Sequence, residues 1–481
     1  MCPYLGMSHP TKGSHENPIM SNESSGISRR TLIATATAAT SAIAAGSLIT
    51  HADLETVSAQ MNTNSRPSAL RITDMRVAVV SPQYENDLRC LVRLDTNQGI
   101  SGWGDVRARA SKTYALMLKS RIMGMNPCDV AAIFYKIKQH GDHGVAGGGV
   151  SAVEMACWDL AGKAWGVPVW QMLGGKFRDK ILLYADTTSS NNAEEMAKHL
   201  LERIPSSAGG FKFLKMDLGI AGIAGAANVV RPAPMTADGL AGMPRTAHQF
   251  TGGHITEKGL RVIEDYCAAV RERVGWNIPI ATDHYGSFNV ENIIKLAQTV
   301  DKFNFAWLED TVPWPYADDL LRIKNSCKTP ILTGEDIYLA TGFKELFEKK
   351  AISICHPDPA ECGGILEAKK IADLAAQHGI ATAFHNHNNP TCVFAGVHAA
   401  AAAEQFVALE FHDCDHIDEF FSVVTGWPKP IISDGFITVP DRPGLGYDYD
   451  MEGLKRWIKQ PGFFDPTKEW DNERSFDGQF M

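Results

Sequence analysis

Paired cysteines, basic tracts and long apolar runs are all missing from this 481-residue chain. The ten cysteines, among them Cys90, Cys128, Cys157, Cys267, Cys327, Cys355, Cys362 and Cys414, form no CxxC pair. That scatter argues against a disulfide framework or a thiolate zinc site, and the residues read as small buried apolar groups. No Lys/Arg block stands out and the formal net charge is −9. A nucleic-acid partner, which needs a basic footprint, is therefore not expected. What is present is ordinary for a soluble globular protein: 44% hydrophobic and 21% charged residues. The length suits one large barrel with an accessory domain, whose core needs no disulfide staples.

Residues 1–27 are polar and carry Gly, Pro and Ser, a disordered composition. Ser28-Arg29-Arg30-Thr31-Leu32-Ile33 then leads an Ala/Thr-rich run to Ile49. Paired arginines ahead of a weak apolar stretch read as a twin-arginine-type export signal. Val57-Ser58-Ala59 offers small residues for cleavage before Gln60. A short membrane anchor is the rival reading, but the run is short of a bilayer span. The expectation is a periplasmic or otherwise exported protein, with residues 1–59 as signal and disordered N-terminus and no membrane span in the mature chain.

Between Ile72 and Gly104 apolar and turn residues alternate as in a strand meander, and residues 112–175 take helical periodicity. Residues 70–178 thus read as an α+β cap. From 179 to 440, short apolar runs recur between helical stretches: Ile181–Thr187, Phe211–Leu218, Ile278–Tyr285, Phe305–Thr311, Ile331–Asp336, Ile352–Asp358, Ala381–His387 and Ala408–Cys414. This pattern predicts a parallel α/β barrel. A Gly/Ala/Pro-rich stretch within 219–257 reads as an insertion at the active-site end of the barrel. Residues 441–481 read as a segment returning to the cap.

The ends of these runs carry the chemistry. Asp283, Glu309 and Glu335 recur every 26 residues, one strand–helix unit apart. Carboxylates ending adjacent parallel strands converge, and unpaired they would repel. A hard divalent cation removes that conflict, and all-oxygen ligation favours Mg²⁺. A single strand-end acid is more often a helix cap; three in phase are not. Lys215 and Asp217 end the second run, His356 and Asp358 the sixth, His385 the seventh, and Glu410 with His412 the eighth. Amine or carboxylate on one side and imidazole on the other suits removal of a proton from carbon and delivery of one elsewhere. Asp358 would orient His385.

From about Leu70 to Gly446 these motifs, with the passage Ala152–Gly175 and the closing Pro443-Gly444-Leu445-Gly446, resemble the mandelate-racemase-like branch of the enolase superfamily. The resemblance implies a modified (β/α)7β TIM-like barrel beneath an α+β capping domain. It implies Asp283, Glu309 and Glu335 as magnesium ligands, and His385 with Asp358 as a catalytic dyad. Lys215 and Asp217 fall at the family's Lys-x-Lys positions, and Glu410 at the eighth-strand acid that meets the intermediate or substrate carboxylate. Asp217 stands where the second lysine is usual, which weakens a racemase reading because racemisation needs competent groups on both faces. The expected reaction is dehydration of an acid sugar to a 2-keto-3-deoxy acid, with His385 protonating the departing hydroxyl. A cycloisomerase of an anhydro-sugar acid or lactone, a 2-hydroxy-acid racemase or epimerase, and a non-catalytic exported binding protein are the rivals. A homo-oligomer is expected.

Other polar residues have plain readings. His284, Tyr285, His248 and His254 are weaker candidates for substrate contact, as are Asp142 and His143, while His387 and His412 read as structural. Gly147-Gly148-Gly149 is not a phosphate cradle, since no P-loop Lys-Ser/Thr follows; it reads as a flexible cap loop. Trp307 and Trp314 bracket Glu309 as core or pocket-wall residues.

Overall fold

The computed structural model describes residues 66–141, 147–230, 253–283, 288–475 and 477. The export signal, residues 231–252 of the insertion with His248, and Asp142, His143, His284 and Tyr285 lie outside the described residues.

Strands β1 (Ile72–Val80), β2 (Arg89–Thr96) and β3 (Ser101–Val106) make the antiparallel cap sheet, backed by helices α1 (Val130–Ile137) and α2 (Gly147–Trp165). Glycine spacing in β3 sets how closely α2 lies on it: a Cβ at Gly104 would sit 1.8 Å from the Ala152 carbonyl oxygen. The glycine run 147–149 corrects the loop expectation. It forms the first turn of α2 and is buried, and a Cβ at Gly149 would fall 2.1 Å from the Tyr114 oxygen. Close packing, not flexibility, is its use.

Eight parallel strands follow: β4 (Lys180–Thr187), β5 (Leu214–Asp217), β6 (Ile280–Asp283), β7 (Leu308–Glu309), β8 (Ile331–Thr333), β9 (Ile354–Cys355), β10 (Ala381–Phe384) and β11 (Phe406–Phe411). Each pairs with the next, and β11 returns to pair with β4, closing the barrel. A helix follows each of the first seven: α3 (Ala193–Glu202), α4 (Glu257–Val274), α5 (Val290–Val300), α6 (Ala317–Ser326), α7 (Leu339–Glu348), α8 (Ile365–Gln377) and α9 (Pro390–Ala402). The fold is the (β/α)7β barrel with an antiparallel-sheet cap. Asn192, Thr256 and Asn289 start α3, α4 and α5 by each accepting the backbone N–H three residues further on.

One side chain per strand fills the barrel interior: Tyr184, Phe213, Ala281, Trp307, Leu332, Ile354, Ala383 and Ala408. Two residues further on, strand alternation points Asp186, Lys215, Asp283, Glu309, His356, His385 and Glu410 the same way. On β8 that count falls on Gly334, whose φ of +138° breaks the alternation just before Glu335.

Cap and barrel share buried polar joints. Glu154 on α2 accepts from Ile365 N at 2.7 Å and Leu366 N at 3.0 Å, capping α8. Asp105 on β3 accepts from Asn389 Nδ2 at 3.0 Å. The strand Ile458–Phe463 pairs antiparallel with β1. No helix among the described residues is long and apolar enough to cross a membrane.

Candidate active site

A cavity of about 1100 Å³ opens at the C-terminal ends of the barrel strands, lined by residues of barrel, cap and insertion together. Its floor is densely charged. Lys215 is buried, and its Nζ lies 2.9 Å from Asp283 Oδ2, 3.2 Å from Glu309 Oε1 and 2.8 Å from Glu410 Oε1. Burial opposes its charge, but Asp283, Glu309, Glu410 and Asp186 outweigh burial and hold the ammonium form well above the ordinary lysine range. Glu309 also accepts from Trp307 Nε1 at 2.9 Å and faces His356 Nδ1 at 3.2 Å. His356 Nε2 meets the Tyr184 hydroxyl at 2.7 Å.

The ligand-capable atoms of Glu309, Glu335 and His356 lie within 4.8 Å of one another. Asp283 forms no such group with them; its carboxylate is turned to Lys215 instead. The three strand-end acids therefore share one charged floor, with Asp283 joined to it through the lysine. Asp217 lines the cavity beside Asp283, its register partner on the neighbouring strand.

His385 and Asp358 meet directly: Nδ1 lies 2.7 Å from Asp358 Oδ2, and Nε2 lies 3.0 Å from Glu335 Oε2. Asp358 Oδ1 is itself fixed by Ala360 N at 2.6 Å. Burial disfavours the imidazolium, but Glu335, Glu410 and Asp358 together push the His385 pKa up to about 9. Glu410 is buried too, and Lys215, His385 and His412 overcome burial to hold it ionised, well below the usual carboxylate range.

Four residues reach this site that the sequence reading did not single out. Arg107 comes from the cap, donating to the Glu335 backbone oxygen at 3.0 Å and pairing with Asp336 Oδ1 at 2.8 Å. Asp310 lines the cavity at a left-handed φ of +47°. Burial, Glu335, Asp283 and Glu309 hold its carboxyl well above the ordinary range. Asp186 sits 3.0 Å from His412 Nδ1, and Tyr184 supports His356. Left-handed backbone just after Glu309 is invisible to alternation; only the doublet Glu309-Asp310 hinted at a second acid. His254 lies off the cavity, bonded to Asn289 and Asn292.

So many carboxylates against so few cations suit a hard divalent ion. The carboxylate oxygens of Glu309 and Glu335, and the Asp310 carboxyl held well above its ordinary range by the acids around it, both fit one at this floor. The chain matches "Mandelate racemase / muconate lactonizing enzyme, N-terminal domain" over residues 56–174 and "Enolase C-terminal domain-like" over 207–453. It belongs to the mandelate racemase/muconate lactonizing enzyme branch of the enolase superfamily. It is similar to the D-xylonate dehydratase of Haloferax volcanii, 29% identical over 80% of this chain and 88% of that protein. It is similar also to the D-galactarolactone cycloisomerase of Agrobacterium fabrum, 24% identical over 78% and 92%. Among solved structures, a mandelate racemase/muconate lactonizing enzyme-like protein from Rubrobacter xylanophilus superposes with a TM-score of 0.70 at 29% identity, covering 82% of this chain and 99% of that one.

Proposed function

We propose that this protein is a magnesium-dependent dehydratase of an acid sugar, converting a polyhydroxy carboxylate to its 2-keto-3-deoxy acid. The observation that carries the reading is the carboxylate floor of Asp283, Glu309 and Glu335 standing beside a hydrogen-bonded His385–Asp358 dyad. Bound at those carboxylates, Mg²⁺ would stabilise negative charge on the substrate carboxylate when the α-proton leaves. Lys215, buried among these carboxylates, offers the substrate carboxylate a positive contact. Asp217, at the cavity wall on the same strand, takes the α-proton. His385 presents Nε2 to the departing β-hydroxyl while Asp358 holds Nδ1, fixing the tautomer, and the hydroxyl leaves as water. The remaining enol gives the 2-keto acid on protonation at C3. Dehydratases among the similar proteins support the class of reaction.

The test is a proton NMR screen of the purified chain with Mg²⁺ in deuterium oxide against acid sugars. Loss of a hydroxyl with a new C3 methylene pattern is the expected result. Exchange at C2 without elimination would indicate epimerisation and overturn dehydration. A ring-opened or ring-closed isomer would favour cycloisomerisation, the second reading, which the similarity to a lactone cycloisomerase supports. Export belongs to the same proposal: replacing Arg29 and Arg30 by lysine should retain the chain in the cytosolic fraction.

A further inference from the structure

Beside this floor one carboxylate is shared by two imidazoles. His385 Nε2 lies 3.6 Å from Glu410 Oε2, and His412 Nε2 lies 3.3 Å from Glu410 Oε1. The two rings stand 6.0 Å apart at 70°. The ligand-capable atoms of the three residues all fall within 4.8 Å of one another. Each ring has its Nδ1 on a second carboxylate, His385 on Asp358 at 2.7 Å and His412 on Asp186 at 3.0 Å. A carboxylate on the far nitrogen is the usual support of a metal-ligating histidine, since it fixes the tautomer and raises the basicity of Nε2. His412 Nε2 is buried and lacks an aligned hydrogen-bond partner, while its ring is held in place by stacking on His387 at 4.3 Å. The proposed reaction uses neither His412 nor Asp186.

We propose that His385, Glu410 and His412 form a second cation site, selective for a borderline transition ion such as Zn²⁺ over Mg²⁺. Two imidazole nitrogens and one carboxylate oxygen match zinc's preference, whereas magnesium favours oxygen and water. Three protein ligands leave a position open, as in zinc sites that take water or a substrate oxygen. The Lys215 ammonium, 2.8 Å from Glu410, opposes the ion and favours reversible binding over permanent occupancy. Because the ion takes His385 Nε2, it inhibits without competing with Mg²⁺. Only this inhibition rests on the dehydratase reading; binding stands apart from it.

The full chain, in excess Mg²⁺, is titrated with Zn²⁺ by calorimetry and with Co²⁺ by visible absorption. One ion is expected that excess Mg²⁺ does not displace. Asp186→Asn, which leaves the three ligands intact, should weaken it about 10–100-fold with unchanged circular dichroism, the usual effect of removing a supporting carboxylate. His412→Gln should abolish it. Zinc-edge anomalous diffraction from the wild type should place the peak between the two imidazoles. Displacement of all Zn²⁺ by Mg²⁺, wild-type affinity in both variants, or a peak at Glu309, Glu335 and His356 would each overturn the site. If His412→Gln fails to fold, Asp186→Asn and the diffraction peak decide. Zinc bound as described in a protein that dehydrates no acid sugar would leave this site standing and remove the reaction.

Discussion

Gly334→Ala should damage both stability and turnover through one broken contact. Two residues past the inward-facing Leu332, alternation would aim residue 334 into the barrel, yet Glu335 is the acid that reaches His385. The φ of +138° at Gly334 makes that slip, in a region L-residues rarely adopt. An alanine there carries about 1–3 kcal/mol of backbone strain. Its Cβ would also lie 2.6 Å from the Phe343 ring, whose side chain is fully buried, and 3.2 Å from His356 N. Moving that ring costs about 1–3 kcal/mol more. The total, about 2–6 kcal/mol, should appear as a lower urea midpoint. Displacing Glu335 by as little as about 1 Å should cost about 100-fold in turnover. Gly275→Ala is the control: φ is +87°, but nothing lies within 4 Å of the new Cβ. It should lose only the strain and keep full activity. A Gly334→Ala protein with wild-type midpoint and turnover would refute the argument that this glycine positions the acid.

Lys215→Met removes the cation from three carboxylates and should destabilise the protein by about 3–5 kcal/mol, the cost of breaking a buried ion pair. Part of that loss should return on adding Mg²⁺, read as a metal-dependent rise in melting temperature larger than the wild type's. Asp358→Asn should lower kcat about 100- to 10,000-fold with little change in thermal stability, because His385 loses its orienting partner. Asp105 gives a pH prediction. Burial pushes its carboxyl up to about 7 in the folded protein, against 3.8 when unfolded. The folded state binds this proton more tightly, so the contribution is complete below about pH 4 and is lost as pH rises through about 7. The urea midpoint of the wild type should therefore fall relative to Asp105→Asn between pH 5 and pH 8; parallel curves would show that Asp105 is not the source.

The barrel was legible because its signal is local and repeated. Apolar runs ending in Asp283, Glu309 and Glu335 at a spacing of 26 carry strand, helix and end-of-strand acid in one period. What escaped was whatever depends on another segment or on a break in phase. Arg107 reaches Glu335 across 228 positions, and no periodicity relates cap to barrel at that distance. The Asp186–His412 pair exists only because the eighth strand closes on the first. Asp310 reaches the cavity through a left-handed residue that alternation cannot foresee. The glycine triplet misled for a different reason: glycine marks a turn and a tight helix contact alike, and only the neighbouring Tyr114 carbonyl decides which.

The outer edge of the cap sheet is supplied by a strand that follows the barrel in sequence. β1 precedes the whole barrel in synthesis, and its edge partner, Ile458–Phe463, follows it; Arg76 donates to the Phe464 oxygen across 388 positions. Until that stretch leaves the ribosome, β1 presents an unpaired edge, a template for the wrong neighbour. Contacts of such separation also form slowly, since a long loop must close first. The cap can therefore reach its final pairing only after the barrel, which lies between the two strands in sequence, has been made.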